Sequence, residues 1–369
     1  MALSQVQVGK IVEDEFAKFA MLGSRGQLDL YPALTDDEDI DFEVHLKKYF
    51  WLPLGIQCKG RTSLQGNHLE VTYWEPDWVR SHDLLYYVFA HLDREQLGVA
   101  NPLFIVPSKV AHQYVSRKRK PGSHQYSFRA SVRPESHDQY APYRVLPSQV
   151  GRRLMEILKD AQAKGIRAEA VPSSLVNTPG VRFVGIPRRA SGSRRGLTSV
   201  QEGIISQNEF AKLVMLTSNG LLEVNPPKTD DENRDFEIHR RGQFGHALSI
   251  QVKGPFQVYE RNGRRTLEIL VKAGKNGRRK LPVAADFHYF LAHFDPRMMR
   301  FAAQFLVPST TLHSPERRRK KSGWSYTFNA NLGSGSRDRW VPFRIQQKDL
   351  GRRLLALLKT DDLTNKEAA

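Results

Sequence analysis

Asp41-Phe42-Glu43-Val44-His45 and Gly55-Ile56-Gln57-Cys58-Lys59 decide the fold of this chain. Both stretches alternate polar and apolar residues, the period of a strand with one face in a core. Paired as an antiparallel hairpin with its loop centred near Phe50, they predict Asp41 opposite Lys59 and Glu43 opposite Gln57. Phe42, Val44, Ile56 and Cys58 then point into the core, and the four polar side chains share the other face. The pattern returns 194 residues later as Asp235-Phe236-Glu237-Ile238-His239 and Ser249-Ile250-Gln251-Val252-Lys253, with Asp235 predicted opposite Lys253.

The repetition is wider than the hairpin. Residues 15–60 align with 209–254 without a gap, and 24 of those 46 positions are identical. Glu15 recurs as Glu209 on stretches of helical spacing, each glutamate beside apolar neighbours: Ile11, Phe19 and Leu22 in one, Ile205, Leu213 and Leu216 in the other. Farther on, Phe104-Ile105-Val106-Pro107-Ser108 matches Phe305-Leu306-Val307-Pro308-Ser309, and Gly151-Arg152-Arg153-Leu154 matches Gly351-Arg352-Arg353-Leu354. A duplication follows, with one domain over 1–165, a linker rich in Pro, Gly and Arg over 166–198, and a second domain over 199–369. Two copies in one chain form a pseudo-dimer; the plainer alternative is one active and one inert copy.

Within each copy, Val12 to Leu22 predicts a helix. Leu69 to Trp74, Leu84 to His91 and Leu103 to Val106 predict further strands, and Ser148 to Lys159 a closing amphipathic helix. The class is α/β with a mixed central sheet flanked by helices. A 369-residue chain that is 40% hydrophobic can bury full cores. Net charge +17 and a pI near 9.9 favour a polyanionic partner, nucleic acid first, over a neutral small molecule. The lone cysteine, Cys58, excludes an intramolecular disulfide and a thiolate metal cage. No apolar run is long enough to span a bilayer, so no membrane partner is expected and a cytoplasmic location is.

The polar face carries the chemistry. A carboxylate and an amide oxygen suit a hard cation such as Mg²⁺ or Mn²⁺, which keeps waters for hydrolysis. A neighbouring lysine suits charge building on a phosphate. Asp41 and Gln57, with Asp235 and Gln251, are therefore the candidate metal ligands, and Glu43 and Glu237 on the same face are candidates to add charge. Lys59 and Lys253 are assigned to the transition state. Glu15 and Glu209, too costly to bury unpaired, are expected to reach the metal, its water or that lysine.

These residues resemble the PD-(D/E)xK nuclease superfamily, most closely its Mrr-like and Holliday-resolvase-like branches, in which a helical Glu precedes an Asp at a strand start and a strand carrying Glu-x-Lys or Gln-x-Lys. The resemblance covers roughly the first half of each repeat. It implies restriction-endonuclease-like domains with an αβββαβ core and metal-dependent phosphodiester cleavage. Two departures stand out: no proline precedes Asp41 or Asp235, and glutamine replaces the commoner acid at 57 and 251, which lowers metal affinity.

Arg117, Lys118, Arg119 and Lys120 match Arg317, Arg318, Arg319, Lys320 and Lys321 in position, and are expected as loops that contact phosphates of nucleic acid, DNA ahead of RNA. Arg278, Arg279 and Lys280 have no counterpart in the first half. The acidic turns Asp36-Asp37-Glu38 and Asp230-Asp231-Glu232 read as solvated turns. Trp74, Trp78, Trp324 and Trp340 read as core aromatics before base-stacking ones. No helix-turn-helix or other reader is evident, which leaves room for a protein partner that supplies targeting. The rival readings are a nucleic-acid-binding subunit that has lost cleavage, and an RNase.

Overall fold

A computed structural model describes residues 3–32, 40–47, 49–76, 81–113, 115–120, 123–166, 196–226, 234–243, 247–261, 264–272, 283–313, 318–320, 323–333 and 335–364. The chain forms two compact units. The first lobe comprises Phe16–Asp93 and Val99–Thr198; the second comprises Met1–Glu15, Arg94–Gly98 and Ser199–Ala369. Residues 1–15 and 94–98 thus group with the second half of the chain.

The first half contains α1 (Gln5–Gly23), β1 (Leu28–Pro32), β2 (Phe42–Leu46), β3 (Tyr49–Arg61), β4 (His68–Pro76), β5 (Leu85–Asp93), β6 (Gly98–Val99), β7 (Leu103–Pro107), α2 (Ser108–Ala111), β8 (Val115–Lys120), β9 (Ser123–Ser131), β10 (Arg144–Val145) and α3 (Val150–Ala163). The main path of its large sheet runs β1-β2-β3-β5-β7-β10, with β3 parallel to β5 and the pairs β1–β2, β2–β3 and β5–β7 antiparallel. A smaller sheet, β4-β9-β8, stands apart. Tyr87, Phe89, Phe104 and Val106 of the large sheet pack on Leu69, Val71, Tyr73, Tyr126 and Phe128 of the small one. The aromatic rings make this layer dense, with Phe89 and Phe128 stacked at 3.9 Å.

The second half contains α4 (Ser199–Thr217), β11 (Leu222–Asn225), β12 (Phe236–Arg240), β13 (Ala247–Lys253), β14 (Tyr259–Arg261), β15 (Arg264–Lys272), β16 (Phe287–Asp295), β17 (Arg300–Pro308), α5 (Ser309–Leu312), β18 (Arg318–Lys320), β19 (Gly323–Asn331) and α6 (Leu350–Thr364). Its sheets run β11-β12-β13-β16-β17 and β14-β15-β19-β18, with β13 parallel to β16. Leu267, Ile269, Tyr289, Phe305, Phe328 and Trp340 fill the layer between them. Trp340 is therefore a core residue, as its composition predicts, whereas Trp74 is exposed.

Three expectations need correction. The chain between the parallel strands β3 and β5 passes through a strand, β4, where an αβββαβ core has a helix. Leu69, Val71 and Tyr73 are buried and alternate with more exposed Glu70, Thr72 and Trp74, a period no helix can satisfy. Second, the hairpin register lies two residues from the predicted one. Phe42 pairs with Ile56 and Glu43 with Gly55, and Phe236 with Ile250 and Glu237 with Ser249. The Asp41 N–H donates to the Ile56 carbonyl at 2.8 Å, so the ladder brings Asp41 level with Gln57. The turn closes tighter than assumed, Leu46 facing Tyr49, with an irregularity between Val44 and Leu46. A two-residue shift keeps every side chain on its face.

Third, the basic runs are strands and not loops. Arg117 to Lys120 lie on β8 and Arg318 to Lys320 on β18, each at the edge of its small sheet. Cationic residues on an edge strand also deter edge-to-edge pairing. Arg317 and Lys321, Arg278 to Lys280, both acidic turns, Trp78 and linker residues 167–195 lie outside the described residues.

The glycine opening each repeated Gly-Arg-Arg-Leu stretch has a steric cause. A Cβ at Gly151 would fall 2.1 Å from the Ser24 nitrogen and 2.4 Å from the Ala20 carbonyl oxygen; one at Gly351 would fall 2.3 Å from the Ser218 nitrogen. Helix backbones meet there at a distance only glycine permits.

Candidate active site

Asp41 sits at the start of β2 and turns back onto β3, where its Oδ2 accepts the Cys58 N–H at 2.5 Å. The carboxylate is thereby fixed beside the Gln-x-Lys strand by a backbone donor. Gln57 is 2% exposed, and its Oε1 has no hydrogen-bond partner. A buried amide oxygen left unsatisfied costs about 1–3 kcal/mol unless something charged or protic meets it. Lys59 is half-buried, with Nζ 5.7 Å from the centre of the Tyr73 ring. Tyr73 in turn stacks on Tyr126 at 5.5 Å, so the lysine stem rests on a packed aromatic wall.

The second lobe repeats the arrangement with one addition. Asp235 Oδ2 accepts the Val252 N–H at 2.6 Å, and its Oδ1 accepts Nε2 of Gln207, from α4, at 2.8 Å. Gln251 is buried with Oε1 unpartnered, and Lys253 is half-buried. Gln207 carries no sequence signal of its own, since the 194-residue offset that relates the copies puts Glu13 at its place in the first half.

Glu43 and Glu237 keep the polar face but lie opposite Gly55 and Ser249 instead of the glutamines. Each approaches side chains close to it in sequence. Glu43 lies 3.4 Å from His45 Nε2, and Glu237 lies 2.6 Å from Arg234 Nη1 and 3.8 Å from His239 Nε2. His45 is buried edge-on to Tyr31, a packed strand histidine.

Glu15 and Glu209 meet a lysine, but a different one from those assigned. Lys212 Nζ is 2.8 Å from both Glu209 oxygens and 3.0 Å from Glu15 Oε1, and all three side chains are at most 5% exposed. Gly98 stands against them, where a Cβ would lie 3.3 Å from Glu15 Oε2. The signal was present in the sequence: Glu209-Phe210-Ala211-Lys212 places acid and base three apart on one helix face, and it repeats Glu15-Phe16-Ala17-Lys18.

Asp14, beside Glu15 on α1, is also buried. Loss of water pushes its carboxyl up to about 6 from 3.8, against the pull of Lys10 at 3.1 Å. A raised carboxyl holds its proton more tightly folded than unfolded, so its stabilising contribution is full below pH 3.8 and is lost as pH rises through about 6. Asp14→Asn is therefore expected to raise the urea midpoint at pH 7.5, by up to roughly 3 kcal/mol, with no gain near pH 4. A loss of stability at pH 7.5 would refute this account of Asp14.

The first lobe holds one further polar cluster that the sequence reading missed. Glu75 on β4, 1% exposed, accepts the Tyr87 hydroxyl proton and lies 3.0 Å from His112 Nε2; the Tyr87 hydroxyl is 2.8 Å from that same nitrogen. Burial first, then the Glu75 charge, push the Tyr87 phenol far above its usual range. Tyr87 is the register partner of Gln57, so the cluster borders the candidate site. The second lobe has Tyr289 and His313 at 3.0 Å, and the sequence carries Ala273 at the glutamate's place.

Among the described residues, no three His, Cys, Asp or Glu side chains gather into a metal-binding group. In the first lobe the Asp41 carboxylate and the unpartnered Gln57 oxygen are donors of the kind Mg²⁺ takes. No helix among the described residues is long and apolar enough to cross a membrane.

No family model matches the sequence, and no curated protein matches it. Among solved structures, the chain is similar to a bacterial homing endonuclease at 15% identity and a TM-score of 0.28, over 44% of this chain and 98% of that one. A likeness of that degree bears on neither the site nor its chemistry.

Proposed function

We propose that this chain is a metal-dependent endonuclease that hydrolyses phosphodiester bonds in DNA, with two PD-(D/E)xK-like heads fused by tandem duplication into a pseudo-dimer. One observation carries the reading. In both lobes an aspartate is anchored on the backbone of a Gln-x-Lys strand, and the glutamine beside it offers a buried oxygen with no protein partner. A strand face that is merely solvated does not bury an unsatisfied amide.

Asp41 and Gln57 would hold Mg²⁺ or Mn²⁺, which supplies polarisation of the scissile phosphate and acidification of the attacking water. The Cys58 N–H fixes the orientation of the Asp41 carboxylate. Lys59 places an ammonium where negative charge grows on the phosphate, and the Tyr73 ring limits its wandering. The net charge of +17 concentrates the polyanionic substrate, and the cationic strands β8 and β18 give each lobe a place to track its backbone.

The test is direct incubation of the full chain with linear and branched duplex DNA, competing RNA, and either Mg²⁺ or EDTA. Cleavage of DNA in Mg²⁺, none in EDTA and intact RNA are expected. The neutral glutamine at the acid position favours a second reading, a binding subunit without cleavage. Tight binding in EDTA, with no product in Mg²⁺ or Mn²⁺ on any substrate, would select it.

A further inference from the structure

We propose that the second lobe grips a phosphate group of the nucleic-acid backbone in a basic cleft between the start of β15 and the loop that follows β19. The inference deepens the proposed function and rests on its nucleic-acid partner, not on cleavage. The cleft, of about 660 Å³, is walled by Arg265 and Arg337, with Asn331, Ser336, Gly333 and Gly335 between them. Both arginines are exposed, and among the described residues neither guanidinium has a carboxylate or a hydrogen-bond acceptor. The loop beneath them is fixed. Asp338 Oδ2 accepts the Asn331 N–H at 2.7 Å and the Ser336 hydroxyl proton at 3.1 Å, and its Oδ1 accepts the Trp340 N–H at 2.9 Å. Arg344 donates to the carbonyls of Leu332 at 3.1 Å and Gly333 at 3.3 Å. The loop's own acid is thus engaged by the loop's own donors, and the two planar guanidinium forks are left to meet an anion.

The first lobe builds the same loop without that charge. Asp138 accepts the Ser131 N–H at 2.8 Å, the Ser136 hydroxyl proton at 3.1 Å and the Tyr140 N–H at 2.9 Å, so residues 131–140 match 331–340. The Asn67 carbonyl accepts the Val132 N–H as the Arg265 carbonyl accepts the Leu332 N–H, each at 2.9 Å, which puts Asn67 at the place of Arg265. Arg133, Glu135 and His137 then stand where the second lobe has Gly333, Gly335 and Arg337. Arg133 lies against the Asn67 amide, its Nη2 at 2.6 Å, and Glu135 adds an acid. The backbone needs none of these exchanges, since Asp138 and Asp338 hold it alike. Their effect is to clear side chains from the cleft and set two cations on its walls. Like charges that line one cleft repel, and an anion between them removes that cost. Such contacts grip a backbone and carry no sequence information.

Binding of the full chain to a short fluorescent duplex DNA in EDTA, read by anisotropy over a range of salt, tests this with cleavage switched off. Arg265→Ala combined with Arg337→Ala is expected to raise Kd about tenfold and to lower the slope of log K against log salt by about 1, the release that belongs to one phosphate. Gly335→Glu gives the second lobe the acid of the first, at a place where a new Cβ meets nothing within 4 Å. It is expected to raise Kd about fivefold with every arginine in place. Arg129→Ala with Arg133→Ala removes two charges from the first lobe and is expected to change Kd by less than about twofold. An unchanged Kd in the Arg265 and Arg337 variant, or an equal loss in the Arg129 and Arg133 variant, would overturn the inference and leave the nuclease reading standing. Calorimetric titration with inorganic phosphate separates the two sources of the anion: a chain that binds phosphate but not the duplex would overturn the backbone assignment. A chain that binds neither would bring down the inference and the nucleic-acid partner together, whereas the expected binding pattern with no cleavage in Mg²⁺ would remove the nuclease reading alone.

Discussion

Lys212→Met is expected to destabilise the protein by roughly 3–5 kcal/mol, the usual cost of removing one partner from a buried ion pair. The argument is electrostatic. Lys212 Nζ lies within 3.0 Å of Glu15 and Glu209, and none of the three side chains is more than 5% exposed. Methionine matches the length of the stem and keeps the packing, so the change isolates the charge. Without the ammonium, the two buried carboxylates lose one cation that offsets their mutual repulsion and their lost hydration. Urea unfolding of the full chain followed by circular dichroism reads the loss as a lowered midpoint. Adding Glu209→Gln to Lys212→Met removes one of the two buried acids and is expected to restore part of the stability, a coupling above about 1 kcal/mol. A Lys212→Met midpoint within about 1 kcal/mol of the natural protein would mean that water reaches this cluster. The same chemistry explains the glycine at 98: a side chain there would press on the Glu15 carboxylate.

How much of this was legible in the sequence depends on which physical quantity each element encodes. The faces of β2, β3, β12 and β13 were legible because alternation has period two, and Phe42, Val44, Ile56 and Cys58 are indeed buried. Their register was not, because parity survives a two-residue slip and only the turn geometry distinguishes Glu43 opposite Gln57 from Glu43 opposite Gly55. β4 was legible from its own residues as a strand, and went against the helix that the family resemblance implies at that place. β8 and β18 were hidden because four or five consecutive cations suppress the apolar alternation by which a strand is recognised. Glu15 and Glu209 were rightly singled out as acids that need partners. Their lysine was less legible, because the Gln-x-Lys strands offer Lys59 and Lys253 while the partner Lys212 lies three residues from Glu209 along the helix.

Replacing Lys59 and Lys253 together by alanine is expected to lower kcat for DNA cleavage by about 10²–10³, with KM changed far less, the pattern of a group that acts on charge present only in the transition state. Phosphate binding draws on many cations in a chain of net charge +17, so two ammonium groups are a small part of affinity. The same two are a large part of catalysis if they stand where charge develops. Lys59 is suited to that because the Tyr73 ring lies under its Nζ and Gln57 precedes it on the same face of β3. Arginine at 59 keeps the charge but spreads it over a longer, planar head in place of a compact ammonium, so Lys59→Arg is expected to recover only a minor part of the rate. The double alanine variant should keep the far-ultraviolet spectrum and the urea midpoint of the natural protein, since neither lysine lies fully within the core. Undiminished Mg²⁺-dependent cleavage in that variant would remove these lysines from the mechanism and the PD-(D/E)xK assignment with them, whereas an equal fall in kcat and rise in KM would recast them as substrate-binding groups.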